Sequence, residues 1–369
     1  MGKIRVLVAD DSAFMRKVIS KMVASDPDME VVATARDGGD ALEKIKVLLP
    51  DVVTLDVQMP KVDGLTALKR IMSEVPTPVV MLSSLTQENA ETTMEALRLG
   101  AVDFVPKPSG TISLDIEKVR DQLLTKIRIA RRAKLFPHRM RHFPQTRVPL
   151  LKKDAEVGLS ALPGSPGGAP GAGMVATPGN PPENLVIIGS STGGPGALQE
   201  IVPRLPGDLD AGVLVVQHMP PGFTRSLAMR LDEISLMDIK EGEDGEPISR
   251  GKVIVAPGGL HMVVTPDKTI ALNGGPPLHG VRPAIDITLE SALPVFGRRI
   301  VGVILTGMGM DGARGMAMLK KSGGRTIVQD EETSVVYGMP RAVVEMGNAD
   351  RVVSLDHVAD AIAEAVDGI

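Results

Sequence analysis

The residues best suited to covalent chemistry in this chain are a serine, a histidine and an aspartate that lie far apart in the sequence. Ser191 is the centre of GSSTG, residues 189–193, a G-x-S-x-G pattern that follows the apolar run LVII. This pattern is typical of a sharp strand-to-helix turn that exposes a serine hydroxyl beside backbone N–H groups and a helix N-terminus. A phosphate-binding turn and a plain tight turn fit the same glycines, so the stretch alone leaves three alternatives open. Ser190 competes as the nucleophile but lacks the symmetric glycine frame.

A serine nucleophile needs a base, and the chain offers six histidines. His218 directly follows the predicted strand GVLVVQ and precedes MPPG, so we expect it on the carboxyl edge of the sheet beside Ser191. The structural alternative is a half-buried histidine that bonds a loop carbonyl. The other histidines lie in a linker, in the first turn of a helix or beside glycine-rich turns, where solvation, capping or an ordinary loop role explains them: His138, His142, His357, His261 and His279.

The third member of such a site is a carboxylate that orients the imidazole and stabilises its charged form. Asp311 follows the predicted strand VGVILTG and opens a predicted helix over 312–321, with a helix N-cap as its structural alternative. Asp286 in RPAIDITLESAL is a weaker candidate, because no predicted strand delivers it to the edge. Three strand ends that bring Ser191, His218 and Asp311 to one edge favour a catalytic triad. The chain order Ser, His, Asp differs from that of the α/β-hydrolases, so that fold is not implied.

A second set of polar residues follows the predicted strands of the N-terminal part. Asp10 and Asp11 end the first strand, Asp56 ends the third and Lys107 ends the fifth. Because the carboxyl ends of parallel strands share one edge, these side chains are expected to converge. Clustered carboxylates suit a hard divalent cation such as Mg²⁺, and a lysine beside them supplies a point charge for a phosphoryl group. The alternative for the paired aspartates is to cap a predicted helix over 12–24.

The elements that position these residues divide the chain into a first domain over 1–124, a linker over 125–182 and a second domain over 183–369. The first domain alternates five β-branched runs with five amphipathic runs, which predicts a parallel sheet with helices on both faces. Residues 126–153 hold ten Lys/Arg and no acid, and 161–182 hold twelve Pro or Gly, a composition typical of a linker. The strand and helix pattern of the second domain predicts a doubly wound, mostly parallel α/β sheet. Within it, an antiparallel hairpin region is predicted for KVIVAPGG, MVVTP and KTIALNG.

Composition excludes several classes of function. The net charge is −4, with 41 Lys+Arg and 45 Asp+Glu, so no overall basic field indicates nucleic acid as a partner. The basic tract fits a solvated helix end that runs into a linker better than a grip on a polyanion. The absence of Cys excludes thiolate nucleophiles, disulfides and Cys-based zinc sites, and suits a reducing compartment. Neither a signal-peptide core nor an 18-residue apolar run is present, so we expect a cytoplasmic protein without membrane insertion.

The N-terminal motifs resemble a known family in order and spacing. VLVADDSAFMR, DVVTLDVQMPKVDGL, VVMLSS and DFVPKP are similar to the receiver domain of bacterial two-component response regulators, over residues 4 to about 121. The resemblance implies a flavodoxin-like (βα)5 fold in which Asp56 accepts phosphate from a histidine kinase. It also implies roles around that residue: Asp10 and Asp11 help Asp56 to hold Mg²⁺, Lys107 contacts the acyl phosphate, Ser83 bonds to it when the domain switches, and Phe104 is the rotating aromatic.

The C-terminal motifs carry a second resemblance. GSSTGGPGAL, VVQHMPPGFTRSLAMRLD, KVIVAPGGLHM and VILTGMGMDGARGM resemble the catalytic domain of the bacterial chemotaxis protein-glutamate methylesterases, which also follows a receiver and a linker. The resemblance implies hydrolysis of glutamate γ-methyl esters on chemoreceptors and deamidation of specific receptor glutamines, without a cofactor for the ester reaction. It also implies that the unphosphorylated receiver covers the catalytic site. By residue, it implies Ser191 as the nucleophile, His218 as the base and then acid, Asp311 as the orienting carboxylate, and Thr192 and Met308 as neighbours of the site, Met308 through its backbone N–H.

Two alternatives of other classes remain at this point. One is a non-enzymatic response regulator whose second domain binds a partner or DNA, which would need a basic recognition surface in that domain. The other is a nucleotide site at the glycine-rich turns, although the Walker lysine and a full G-x-G-x-x-G are missing.

Overall fold

The computed structural model describes residues 2–84, 86–107, 113–135 and 182–369. The strands of the first domain are β1 (Ile4–Ala9), β2 (Met29–Ala35), β3 (Val52–Asp56), β4 (Val79–Ser83) and β5 (Asp103–Pro106). Its helices are α1 (Ala13–Ala24), α2 (Gly38–Leu48), α3 (Gly64–Glu74), α4 (Gln87–Arg98) and α5 (Ser113–Arg132). All five strands are parallel and lie in the order β2-β1-β3-β4-β5.

Both faces of this sheet are covered, because alternate residues of a strand point to opposite sides. Leu7 and Val53 pack in an apolar core with residues of α2 and α3. Val6 and Val52 pack in a separate core with residues of α1 and α5. The predicted parallel (βα)5 architecture of the first domain is confirmed.

Helix α1 is capped by Ser12 rather than by the preceding aspartates. The Ser12 hydroxyl accepts a hydrogen bond from the backbone N–H of Met15 at 3.3 Å, as N-cap side chains do. Asp10 instead accepts the backbone N–H of Ser12 through Oδ1 at 2.9 Å. The second oxygen of Asp10 therefore stays available to the strand-end cluster.

The second domain is built on a seven-stranded sheet. Its strands, with those of a separate hairpin, are β6 (Asn184–Ser190), β7 (Ala211–Gln217), β8 (Asp238–Glu241), β9 (Lys252–Val255), β10 (His261–Val264), β11 (Ile270–Asn273), β12 (Ile300–Ile304), β13 (Arg325–Gln329) and β14 (Arg351–Val353). Its helices are α6 (Gly194–Ile201), α7 (Phe223–Ile234), α8 (Ile285–Phe296), α9 (Ala313–Lys321), α10 (Met339–Glu345) and α11 (Val358–Asp367), and three short 3₁₀ helices lie at Val202–Arg204, Gly297–Arg299 and Leu355–His357. The order in the large sheet is β14-β13-β12-β6-β7-β9-β8, with every pair parallel.

The three short segments predicted as one hairpin region divide between two sheets. Strand β9 joins the large sheet, parallel to β7 and β8. Only β10 and β11 pair as an antiparallel hairpin, in a two-stranded sheet of their own. The predicted parallel α/β class with an antiparallel hairpin is confirmed, and the hairpin is smaller than the sequence pattern indicated.

The predicted border at residue 124 falls inside a helix. Helix α5 continues to Arg132, with Ile127 and Ala130 buried against the first sheet and Arg128 exposed. The first part of the basic tract is therefore the solvated face of a helix, and residues 136–181 of the predicted linker lie outside the described residues. Within the described ranges, no helix has the length and apolar character needed to cross a membrane.

The two domains share an apolar interface. Helix α4 of the first domain packs on α6 and α7 of the second. The rings of Phe104 on β5 and Phe223 on α7 lie with their centroids 4.3 Å apart, and both side chains are buried. Apolar residues of both domains consequently form one continuous core.

Candidate active site

Ser191 lies directly after β6, the central strand of the large sheet. Its backbone N–H donates to the carbonyl of Thr306 at 3.1 Å, and its own carbonyl accepts Nε2–H of Gln217 at 3.0 Å. The β6–β7 register pairs Ser190 with Gln217, so the next residues, Ser191 and His218, leave adjacent strands that lie about 4.8 Å apart. The serine is thus fixed between the carboxyl ends of its two neighbouring strands, β12 and β7.

The structure separates the two competing serines. The Ser190 side chain is completely buried, and its hydroxyl donates to Gln217 Oε1 at 2.6 Å. Ser191 is partly exposed at the start of the turn. Burial therefore excludes Ser190 and leaves Ser191 as the candidate nucleophile.

The turn after Ser191 requires its glycines. Gly193 has φ +80°, in the left-handed region that favours glycine. A Cβ on Gly194 would lie 2.1 Å from Gln217 Oε1, so even alanine would collide with the side chain that holds Ser190. This close approach lets α6 begin immediately behind the serine.

His218 and Asp311 form a buried pair at the ends of β7 and β12. Their side chains are 8% and 3% exposed, and His218 Nε2–H donates to Asp311 Oδ2 at 2.8 Å. This contact leaves His218 Nδ1 as the nitrogen that can accept a proton. The structure therefore brings the side chains of His218 and Asp311 into contact.

Backbone N–H groups complete the shell of Asp311. Oδ2 also accepts from Ile285 at 2.7 Å, and Oδ1 accepts from Asp286 at 3.1 Å and from Gly312 at 3.0 Å. Burial alone would raise the pKa of Asp311, but the hydrogen bond and charge of His218 and the backbone donors outweigh it and lower the pKa overall. An ionised Asp311 can stabilise a positive charge on His218.

Thr192 and Met308 flank the serine in different ways. In the part of the chain that the structure describes, no hydrogen bond uses the backbone N–H of Thr192 or that of Met308. Both N–H groups are therefore candidates for oxyanion donors. The Thr192 hydroxyl is occupied, because it donates to Asp103 Oδ2 of the first domain at 2.6 Å. The Met308 side chain is 49% exposed.

The strand-end cluster of the first domain is also assembled. Lys107 Nζ lies 2.8 Å from Asp10 Oδ2 and 2.7 Å from Asp56 Oδ2. Burial raises the pKa of Asp56 to about 6 against the opposing attraction of Lys107. Burial would lower the pKa of Lys107, but the two carboxylates outweigh it and raise the pKa overall.

These carboxylates fit a hard divalent ion. One oxygen each of Asp10, Asp11 and Asp56 lies within 4.8 Å of the other two. Asp11 is exposed and Asp56 buried, so the cluster has one open side. An all-oxygen set with an open side matches the way proteins hold Mg²⁺ next to a phosphate.

Ser83 and Phe104, the predicted switch residues, both contact elements beyond the cluster. The Ser83 hydroxyl accepts from Thr93 Oγ1 of α4 at 2.8 Å. Phe104 stacks on Phe223 of the second domain, as described above. Both residues therefore connect the aspartate cluster to the domain interface.

Sequence reasoning missed three residues of this arrangement and underrated one. Asp103 ties the receiver-like sheet to Thr192, and its Oδ1 accepts from Lys126 at 2.7 Å. Phe223 packs in the domain interface, and Gln217 holds the serine turn. Asp286 supplies a backbone N–H donor to Asp311. Local patterns carried no signal for contacts between domains, whereas Asp286 was named and set aside because no predicted strand delivers it to the edge.

The two halves together define a class of protein. A parallel five-stranded domain with a buried aspartate and a lysine at one edge is the receiver of a response regulator. The second domain adds the strand-end serine, histidine and aspartate of a hydrolase. The class is thus a response regulator with a hydrolase output domain.

Comparison with known proteins agrees with this class. The CheB methylesterase family matches residues 186–362, and the response regulator receiver domain family matches residues 6–117. A protein-glutamate methylesterase/protein-glutamine glutaminase of Symbiobacterium thermophilum is 56% identical over 363 residues, 98% of this chain and 97% of the relative. One from Pyrococcus horikoshii is 47% identical, over 99% of this chain and 94% of the relative. The crystal structure of the Thermotoga maritima CheB methylesterase catalytic domain shares 45% identity and covers 49% of this chain and 97% of that one, with a TM-score of 0.48.

The chain belongs to the family of protein-glutamate methylesterase/protein-glutamine glutaminases, in which a receiver domain is joined to a CheB methylesterase domain. The predicted enzyme class is confirmed, and none of these findings favours the non-enzymatic alternative.

Proposed function

We propose that this chain hydrolyses γ-methyl esters of glutamate side chains in methyl-accepting chemoreceptors, under control of receiver phosphorylation. Ser191 is the nucleophile, His218 the general base and then acid, and Asp311 the orienting carboxylate. The observation that carries the proposal is the buried 2.8 Å contact of His218 with Asp311, beside the strand end that presents Ser191. Family membership supports the choice of substrate.

The reaction proceeds through an acyl-enzyme. His218 Nδ1 takes the proton of Ser191, whose oxygen attacks the ester carbonyl. The backbone N–H groups of Thr192 and Met308 stabilise the oxyanion. The protonated His218 then donates to the leaving methanol, and water activated by the same imidazole releases the glutamate carboxylate. A receptor glutamine gives the same acyl-enzyme with ammonia as the leaving group, so one site serves both activities.

The receiver controls access to this site. Asp56 accepts phosphate from a chemotaxis histidine kinase, and Lys107 pairs with the phosphoryl group. Asp10, Asp11 and Asp56 are the residues that would hold Mg²⁺, which would neutralise phosphate charge when bound. We accordingly propose that the chain works in the cytoplasm, without nucleic acid or membrane insertion.

Control passes through the domain interface. In the unphosphorylated arrangement, Asp103 holds the hydroxyl of Thr192, and Phe104 packs on Phe223. The first contact lies one residue from the nucleophile, which supports restriction of the site by the unphosphorylated receiver. Phosphate on Asp56 recruits the Ser83 hydroxyl away from α4, which shifts α4 and Phe104 and releases the second domain.

The experiment that tests the activity measures methanol release from methylated receptor. Wild type, Ser191→Ala and Ser190→Ala are compared with a small phosphodonor present. We expect Ser191→Ala to abolish turnover, because the attacking oxygen is gone. The matched control Ser190→Ala removes a buried hydroxyl one residue away and should retain most activity. Full activity of Ser191→Ala would refute the proposal.

A further inference from the structure

Asp286 has an oxygen that the fold leaves without a donor. The residue is the second of α8, and its side chain is completely buried. Its Oδ1 accepts the backbone N–H of Gly315 at 2.8 Å, but no donor among the residues that the structure describes forms a hydrogen bond with Oδ2. A buried carboxylate oxygen without a partner is costly, so this oxygen indicates a ligand.

His279 approaches that oxygen from a strained turn. The backbones of Leu278 and Val281 exchange two N–H···O hydrogen bonds, of 3.1 and 3.0 Å, across the two-residue loop His279-Gly280. Both loop residues have positive φ, +53° for His279 and +79° for Gly280, as in a type I′ turn, where asparagine and glycine are preferred over histidine. The imidazole is 39% exposed and its Nε2 lies 3.5 Å from Asp286 Oδ2.

The distance between these atoms fits two ligands of one ion. An N–H···O hydrogen bond has a length of about 2.7–3.2 Å, so 3.5 Å is too long. Two ligands at about 2.0–2.1 Å from a tetrahedral Zn²⁺ lie about 3.3–3.4 Å apart. One carboxylate oxygen of Asp311 lies within 4.8 Å of both atoms and supplies a third ligand.

We propose that His279, Asp286 and Asp311 form a binding site for Zn²⁺ or a similar transition-metal ion. An imidazole with two carboxylates prefers such ions to Mg²⁺ or Ca²⁺. The exposed edge of His279 gives the ion a way in, and a water completes the fourth position. This site is separate from the all-oxygen cluster of the receiver domain.

An ion at this site inhibits the hydrolase. Asp311 already accepts four hydrogen bonds, of which three come from backbone N–H groups fixed at the starts of α8 and α9. The fourth donor is the side chain of His218, and we expect the ion to displace this imidazole from Asp311. This consequence rests on the proposed function, whereas binding itself does not.

Binding is tested on the full chain by calorimetric titration with Zn²⁺ in excess Mg²⁺, which competes with Zn²⁺ for the receiver cluster. His279→Asn removes the imidazole and places a residue suited to positive φ in the turn. We expect it to weaken zinc binding by at least about tenfold. The control His357→Asn removes an exposed histidine that lies 3.4 Å from Asp356 and should leave binding unchanged. Equal affinity of wild type and His279→Asn, or no zinc binding by wild type, would overturn the site.

Inhibition is tested by methanol release with and without Zn²⁺. Wild type should lose at least about a hundredfold in rate and recover with chelator, since loss of the orienting carboxylate costs a serine hydrolase about 10⁴-fold. His279→Asn should retain its rate in both conditions. Zinc bound through His279 without loss of rate would overturn the inhibition. Absence of methanol release without zinc would count against the proposed function instead, and the titration would still decide the site.

Discussion

Replacement of Asp103 by alanine should switch on the unphosphorylated enzyme. Asp103 lies in the receiver, yet its Oδ2 accepts the hydroxyl of Thr192 at 2.6 Å, next to the proposed nucleophile. A hydrogen bond to a charged group contributes about 1.5–3 kcal/mol, and each 1.4 kcal/mol is about tenfold in an equilibrium. The ratio of open to closed enzyme should therefore rise about 10- to 100-fold.

The assay is methanol release from methylated receptor without phosphodonor, with the rate of phosphorylated wild type as the ceiling. The ratio of the rate with phosphodonor to the rate without it should fall by the same factor by which the basal rate rises. The matched control is Asp26→Ala, which removes a buried carboxylate paired with Arg128 on α5, away from the interface. An unchanged basal rate in Asp103→Ala, or an equal rise in Asp26→Ala, would show that the Asp103–Thr192 hydrogen bond does not hold the enzyme closed.

Three further predictions concern the catalytic domain. Asp311→Asn places an amide NH₂ against N–H donors that converge on both carboxylate oxygens, so kcat should fall by about 10⁴. Gly194→Ala brings a Cβ to 2.1 Å from Gln217 Oε1, so it should cut the methanol-release rate while the domain stays folded by circular dichroism. For Glu246, burial would raise the pKa, but bonds from Lys252 and a second lysine outweigh it and lower the pKa overall. That carboxylate therefore stabilises the fold above its unfolded pKa of about 4.3. The free energy of unfolding of wild type should exceed that of Glu246→Gln at neutral pH, and this difference should shrink as pH falls below that value.

Each of these predictions has an outcome that contradicts it. Near-normal kcat in Asp311→Asn would show that the carboxylate does not orient His218. Full activity of Gly194→Ala would mean that the serine turn tolerates displacement. A difference between wild type and Glu246→Gln that grows in acid, measured by urea unfolding at several pH values, would reverse the sign of the argument.

The sequence predicted the position of a side chain well where the residue directly follows a parallel strand. In parallel sheets the carboxyl ends share an edge, so Ser191, His218 and Asp311 could be expected near one another before any coordinates. The same rule brought Asp56 and Lys107 together. The glycine frame favoured Ser191 over Ser190, but the hydrogen bond that buries the Ser190 hydroxyl against Gln217 could not be predicted, because it depends on a side chain of the next strand.

Contacts between domains were out of reach for the same physical reason. Asp103 and Phe223 lie in ordinary-looking segments, and their roles arise only when α4 packs on α6 and α7. Asp286 was underrated because a strand-based argument does not consider what the first turn of a helix can bring to an edge. The domain border was set at residue 124, inside α5, because the basic residues that follow resembled linker composition although one face of the helix is apolar.

The most direct test of the catalytic account is the attachment site of a phosphonate analogue of a glutamate γ-methyl ester, mapped by mass spectrometry on the phosphorylated full chain. We expect one adduct, on Ser191, and its loss in His218→Ala because the serine is no longer activated. An adduct on Ser190 or on another residue, or undiminished labelling of His218→Ala, would contradict it.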